Sequence, residues 1–194
     1  MMTLYVVLIL AVGVERLAEL VVARRNLAWA LARGGREYGF GHYPFMVVLH
    51  IGLLVASLVE AQHRSFIPAL GWPMLALTLL AQALRWWCIT TLGPRWNTRI
   101  IVIPGLPLVN GGPYRWMSHP NYVAVVLEGI ALPLVHSSWI TAVGFTVVNA
   151  ALLRVRISSE NAALVRALAE TPPTGPDPDP DPDPDPDPNA STAK

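Results

Sequence analysis

Apolar residues in this chain gather into five runs, set apart by connections rich in arginine, glycine and proline. The runs are Thr3–Val22, Phe45–Glu60, Pro68–Leu92, Tyr122–Val135 and Trp139–Leu153. A helix needs about 20 largely apolar residues to cross a bilayer. The last two runs fall short of that length and Pro133 breaks the region between them, which predicts a tight helical hairpin there. Pro44 precedes the second run at a position suited to a first helical turn. Beyond the fifth run, Arg154 to Glu170 is rich in Ala and Leu and is expected to leave the membrane as an amphipathic helix. The pattern predicts an all-α integral membrane protein with about five transmembrane helices.

The arginines orient these helices. Arg24, Arg25, Arg33 and Arg36 fall between the first and second, Arg95, Arg99 and Arg115 between the third and fourth, and Arg154, Arg156 and Arg166 after the fifth. Only Arg64 lies in a connection on the other side. Positive-inside asymmetry then places the N-terminus outside, and the long connection Gly93–His119 and the C-terminus in the cytoplasm. The first run has no positive region ahead of it and no clear small-residue cleavage site behind it, so it reads as a retained helix and not a leader.

Composition agrees with a membrane protein: 53% of residues are hydrophobic and only 14% charged, too few for the surface of a soluble domain. Every aspartate lies in the terminal segment 171–194, whose alternating Asp-Pro cannot form helix or sheet and is expected to be extended and disordered. Residues 1–170 form the membrane domain, with 13 Arg against 7 Glu, a net of +6. A lone cysteine, Cys88, excludes an internal disulfide and a cysteine-ligated cluster. No Walker loop and no strand-led G-x-G-x-x-G is present, so any cofactor must be held by helices and the long connection. No metal site and no nucleic-acid partner is expected.

The candidate chemistry is concentrated in "GGPYRWMSHPNY", Gly111 to Tyr122. Pro120 suits a first helical turn, which puts His119 at a helix entrance where free N–H groups can hold a polar ligand. Gly111 and Gly112 allow the backbone to approach a ligand closely. An interfacial turn with belt aromatics fits the same spacing. Arg156 and Glu160 are one turn apart, the spacing of a site pair and equally of an ordinary surface ion pair. Glu15, Arg16 and Glu19 lie inside an apolar run and call for an intramembrane partner, for which Glu128 is the natural choice with Arg16 or Arg85. His42 and His50 flank the start of the second helix without a metal-ligand pattern, and read as polar contacts near a site or satisfied core groups.

"LVNGGPYRWMSHPNYV" followed by "RISSENAAL" resembles the isoprenylcysteine carboxyl methyltransferase family. "ERLAELVVARRN" and "GGREYGFGHYPFMVVLH" are similar to a bacterial branch that accompanies type III polyketide synthases and methylates alkylresorcinols or alkylpyrones at oxygen. The resemblance implies a methyltransferase using S-adenosylmethionine and a lipid-tailed acceptor drawn from the membrane. It assigns the cofactor to Leu106, Pro107, Leu108, Val109, Tyr114, His119, Pro120, Asn121, Tyr122 and Glu160, and places Arg156 beside the reacting group. Tyrosine faces suit the sulfonium cation. Two positions depart from the family pattern: Ser118 stands for an arginine and Asn161 for a second glutamate. Asn161, neutral where the acceptor is expected, favours an enol or phenol. A prenylcysteine carboxyl or phospholipid amine methyltransferase is the alternative, and a non-catalytic membrane scaffold the reading from another class.

Overall fold

The computed structural model describes residues 1–38, 41 and 43–170. The expected disorder of segment 171–194 and the placing of His42 lie outside the described residues. Five helices run in order: α1 Met2–Leu31, α2 Tyr43–Ala61, α3 Pro68–Leu92, α4 Pro120–Leu134 and α5 Trp139–Glu170. The all-α expectation holds, with one addition. Arg36–Tyr38 (β1) pairs antiparallel with Ile100–Val102 (β2), in the register Arg36 to Val102 and Tyr38 to Ile100.

Tyr43–Ala61, Pro68–Arg95 and Trp139–Arg166 are long and apolar enough to cross a membrane by themselves. α1 is longer than its apolar run, because the arginine-bearing segment Ala23–Leu31 contains strong helix formers and continues the helix. α5 likewise absorbs the amphipathic stretch after Leu153, so the expected short hairpin partner is one continuous helix of 32 residues. α4 has 15 residues, about 22 Å of rise, and ends one residue after Pro133, as the sequence predicted. Large apolar side chains stay exposed along α1, α2 and α5, among them Leu4, Val7, Leu10, Val48, Ile51, Val55, Ile140, Val143 and Val147. Such stripes on helices of this length are lipid-facing surface.

At one end of the bundle Tyr5, Ile9, Val12, Ala61, Leu132 and Val135 form an apolar core. The Tyr5 hydroxyl donates to the Leu132 carbonyl at 3.1 Å. Glu60 closes the start of α5, accepting from Ile140 N at 3.1 Å and Thr141 N at 2.8 Å, and so satisfies two of that helix's free donors.

Mid-bundle lies the ionic cluster anticipated around Arg16. Arg16 reaches Glu19 at 2.8 Å and Glu128 at 3.2 Å, and donates to Gln82 at 3.0 Å. Arg85 pairs with Glu128 and lies 3.7 Å from Glu19. Glu128 therefore serves both arginines, joining α1, α3 and α4 through groups that would be costly unpaired in lipid.

The opposite end carries the long connection. Asn26 donates to the carbonyls of Gly93 (3.2 Å) and Trp96 (2.7 Å), and Asn97 donates to Ala23 (3.1 Å). Arg99 clamps Glu37 at 3.1 Å through both carboxylate oxygens and lies over the Tyr43 ring. These contacts and the β pairing hold the connection against α1 and α2, where it roofs the candidate site.

Candidate active site

α4 begins at Pro120 because proline has no N–H to lose there and its φ is already helical. His119 is its N-cap residue, as the sequence predicted. One turn on, Tyr122 stacks on His119, with ring centroids 5.1 Å apart and planes tilted by 17°. The Tyr122 hydroxyl donates to Glu160 and accepts from Arg156 Nε at 2.8 Å. Arg156 also donates to the Thr98 carbonyl at 2.9 Å and touches the Met46 sulfur at 3.2 Å. His119 Nδ1 lies 3.8 Å from the Glu160 carboxylate. The i,i+4 spacing of Arg156 and Glu160 thus produces no direct surface pair; the two meet through Tyr122, supplied by another helix.

Above this cluster opens a cavity of about 500 Å³. It is lined by Leu106, Pro107, Leu108, Val109, Tyr114, His119, Asn121, Tyr122, Arg156, Glu160 and Asn161, all singled out from the sequence. Pro120 is buried and does not line it; its part is to start α4. The Leu106–Val109 edge is held by Arg95, which donates to the Pro107 carbonyl at 2.7 Å. Burial pushes the Tyr114 phenol far above its ordinary pKa, with the Cys88 thiol adding to the shift, so it stays neutral.

Below lies a second cavity of about 250 Å³, between α1, α2 and α4. Its wall is mostly apolar, with Val12, Leu17, Leu20, Val47, Ile51 and Leu54, and it reaches the Arg16–Glu19–Arg85–Glu128 cluster. Trp96, Asn97, Asn121, Tyr122 and Arg156 line both cavities. Arg156 is the sole charged group among those five.

Three expectations are revised. Gly112 has φ +52°, and a Cβ there would lie 2.4 Å from Thr91 Oγ1, so tight packing on α3 and a left-handed backbone require glycine, not a ligand's approach. Gly111 has ordinary φ and room for a side chain. Asn161 lines the upper cavity only and is exposed, because five further residues carry it about 7.5 Å along α5 beyond Arg156. The sequence reading did not find Trp96, Asn97, Thr98 or Met46. None belongs to a recognisable spacing, and each reaches the site through the fold of the roof or the start of α2.

A family model described as the isoprenylcysteine carboxyl methyltransferase (ICMT) family matches residues 74–166. The chain is 40% identical over 152 residues to the uncharacterized protein YpbQ of Bacillus subtilis (strain 168), covering 78% of this chain and 90% of that one. The chain belongs to the isoprenylcysteine carboxyl methyltransferase family. An uncharacterized protein of Haemophilus influenzae is 27% identical over 154 residues, covering 77% of this chain and 88% of its own length. No solved structure matches. Membership makes the protein a membrane methyltransferase, of a family that uses S-adenosylmethionine and acts on lipidated substrates. The matched span takes in α4, most of α5, the roof and both faces of the Tyr122–Arg156 junction; the family model does not extend to α1 and α2, which wall the lower cavity.

Proposed function

We propose that the upper cavity binds S-adenosylmethionine and the lower one a lipid-tailed acceptor, with methyl transfer to an acceptor oxygen at the Tyr122–Arg156 junction. The observation that carries this reading is the meeting of two cavities, a larger one of mixed lining and a smaller, largely apolar one, on one shared wall whose only charge is Arg156.

The upper cavity's residues fit the cofactor. Its volume lies in the range of small-molecule sites. Asn121 leaves a buried Oδ1 without a partner, an acceptor suited to an amino group. Glu160 has a second oxygen for a ribose hydroxyl or ammonium, and the Tyr114 ring lines the cavity as an aromatic surface suited to a cation. When bound, S-adenosylmethionine supplies an electrophilic methyl group on a sulfonium. The chain's own task is to hold two reactants of unlike solubility in line, which removes much of the entropic barrier.

Arg156 favours an oxygen acceptor. A guanidinium at the junction stabilises a developing phenolate, enolate or carboxylate and repels a protonated amine. Apolar walls suit an alkyl tail, at about 0.8 kcal/mol per buried methylene. An alkylresorcinol or alkylpyrone, the product of a type III polyketide synthase, meets both demands. The arginines at the site end, against Arg64 at the other, support a cytoplasmic site and an external N-terminus.

The test is to supply membranes with labelled cofactor and a long-chain alkylresorcinol, its short-chain analogue, or farnesylcysteine. The long-chain resorcinol is expected to react fastest. Preferred methylation of farnesylcysteine would replace this acceptor by a prenylcysteine carboxylate. Equal rates for long and short resorcinols would remove the role of the lower cavity in holding the tail.

A further inference from the structure

His50, on α2, lines the lower cavity. Its Nδ1 lies 2.7 Å from the Met46 carbonyl, a contact that only a protonated Nδ1 satisfies as a hydrogen bond. The neutral ring must then leave Nε2 without a proton, and among the described residues Nε2 has no hydrogen-bond partner. Phe145 fixes the ring from α5, edge-on at a centroid distance of 5.4 Å. Side chains on a helix lean toward its N-terminus, so the His50 ring lies along the turn that ends at Met46. Met46 in turn touches Arg156, at the junction of the two cavities.

Resting on the oxygen-methylation reading above, we propose that His50 Nε2 is the general base that takes the hydroxyl proton of a phenol or enol acceptor. The acceptor oxygen forms its bond to the methyl carbon of the sulfonium donor. The carbon–sulfur bond breaks with its electron pair left on sulfur, and the hydroxyl proton ends on Nε2. Arg156 holds the oxygen while its charge grows.

The charged groups that share the cavity are Arg16 and Glu19 on α1, Arg85 on α3, Glu128 on α4 and Arg156 on α5; Tyr43 and Tyr122 are its other titratable neighbours. The guanidiniums of Arg16 and Arg85 are already paired with Glu19 and Glu128. Glu15 adds a third carboxylate to the mid-bundle cluster, 3.6 Å from Arg16. An imidazolium formed at His50 during the transfer has the Glu128 carboxylate to receive its charge, against the guanidiniums of Arg16, Arg85 and Arg156 that share the cavity. The chemistry so defined excludes a carboxylate acceptor from needing His50, since a carboxylate has no proton to lose at neutral pH.

His50→Asn tests this, since Asn keeps a donor for the Met46 carbonyl and loses the basic nitrogen. First, a long-chain alkyl nitrophenol is bound without the methyl donor, near the pH of its own half-ionisation, and its phenolate absorbance is read. The wild type is expected to raise the phenolate fraction above that in detergent alone, and His50→Asn to leave it unchanged at similar affinity. Second, turnover of a long-chain resorcinol should fall by ~100-fold or more in His50→Asn. The loss should shrink below about tenfold for the nitrophenol at high pH, where its proton has already gone. Imidazole should partly restore His50→Ala, which gives the same reading if the Asn variant does not fold. Equal phenolate fractions, or undiminished resorcinol turnover in either variant, overturn the role of His50 alone. A wild type that methylates farnesylcysteine and neither phenol overturns the acceptor reading, and this proposal with it.

Discussion

Arg156 donates its Nε hydrogen to the Tyr122 hydroxyl at 2.8 Å, and the same hydroxyl donates onward to Glu160. One phenol thus sets the position of a cation from α5 and of a carboxylate one turn later on the same helix. Tyr122→Phe deletes both bonds and leaves the two charged groups partly buried without their shared partner. We expect S-adenosylmethionine affinity to fall about tenfold, equivalent to ~1.4 kcal/mol, by calorimetric titration of purified protein. Unchanged affinity would show that the phenol does not organise the upper cavity.

His119 and Glu160 should contribute separately to that affinity. His119→Ala removes the ring stacked on Tyr122, and Glu160→Ala removes the acceptor of its hydroxyl. Each is expected to weaken binding, with Glu160→Ala the more severe because hydrogen bonds to a charged group contribute about 1.5–3 kcal/mol. The same titration in wild type and both variants checks this; three equal affinities would defeat the site assignment.

Glu128→Ala should damage stability more than any change at the rim. It would remove one of the two carboxylates that Arg16 and Arg85, both largely buried, share, and leave Glu19 to serve both. Breaking a buried pair in this way costs about 3–5 kcal/mol. The expected result is a large drop in thermal unfolding temperature in detergent, with Glu128→Gln intermediate because it keeps a hydrogen-bond acceptor. A melting temperature like the wild type's would mean that water reaches the cluster.

Truncation after Glu170 should leave turnover within tenfold of the full chain, or ~1.4 kcal/mol of barrier, when assayed in nanodiscs. The removed Asp-Pro segment cannot bury apolar surface. A greater loss would give that segment a part in catalysis.

Much of this site was legible because its residues lie in two short segments near the C-terminal end of the chain. His119, Asn121 and Tyr122 enter a helix together just after the short turn that holds Tyr114, and Arg156 and Glu160 are one turn apart on another. The Arg16–Glu128 link was legible for a different reason: charges inside apolar runs must find one another. Thr98 was not, since it contributes a backbone carbonyl, which any residue has. Nor was β1–β2, whose three-residue strands carry no period to read. At Leu153 polarity marks the edge of the apolar layer and not a break, so the fifth run and the amphipathic helix expected after it form one continuous α5.

α4 rises only about 22 Å from its buried turn at Leu134 to His119, against roughly 30 Å of hydrocarbon in a typical bilayer. Its lower end packs beside Tyr5 near the start of α1, and α4 is shorter than the layer its neighbours α2, α3 and α5 are long enough to span. If the upper cavity takes the methyl donor as proposed, a water-soluble donor would enter from the His119 end, while a lipid need only move sideways. Acyl-chain length in the surrounding leaflet would then set how far the donor descends, which makes bilayer thickness a variable of the proposed reaction.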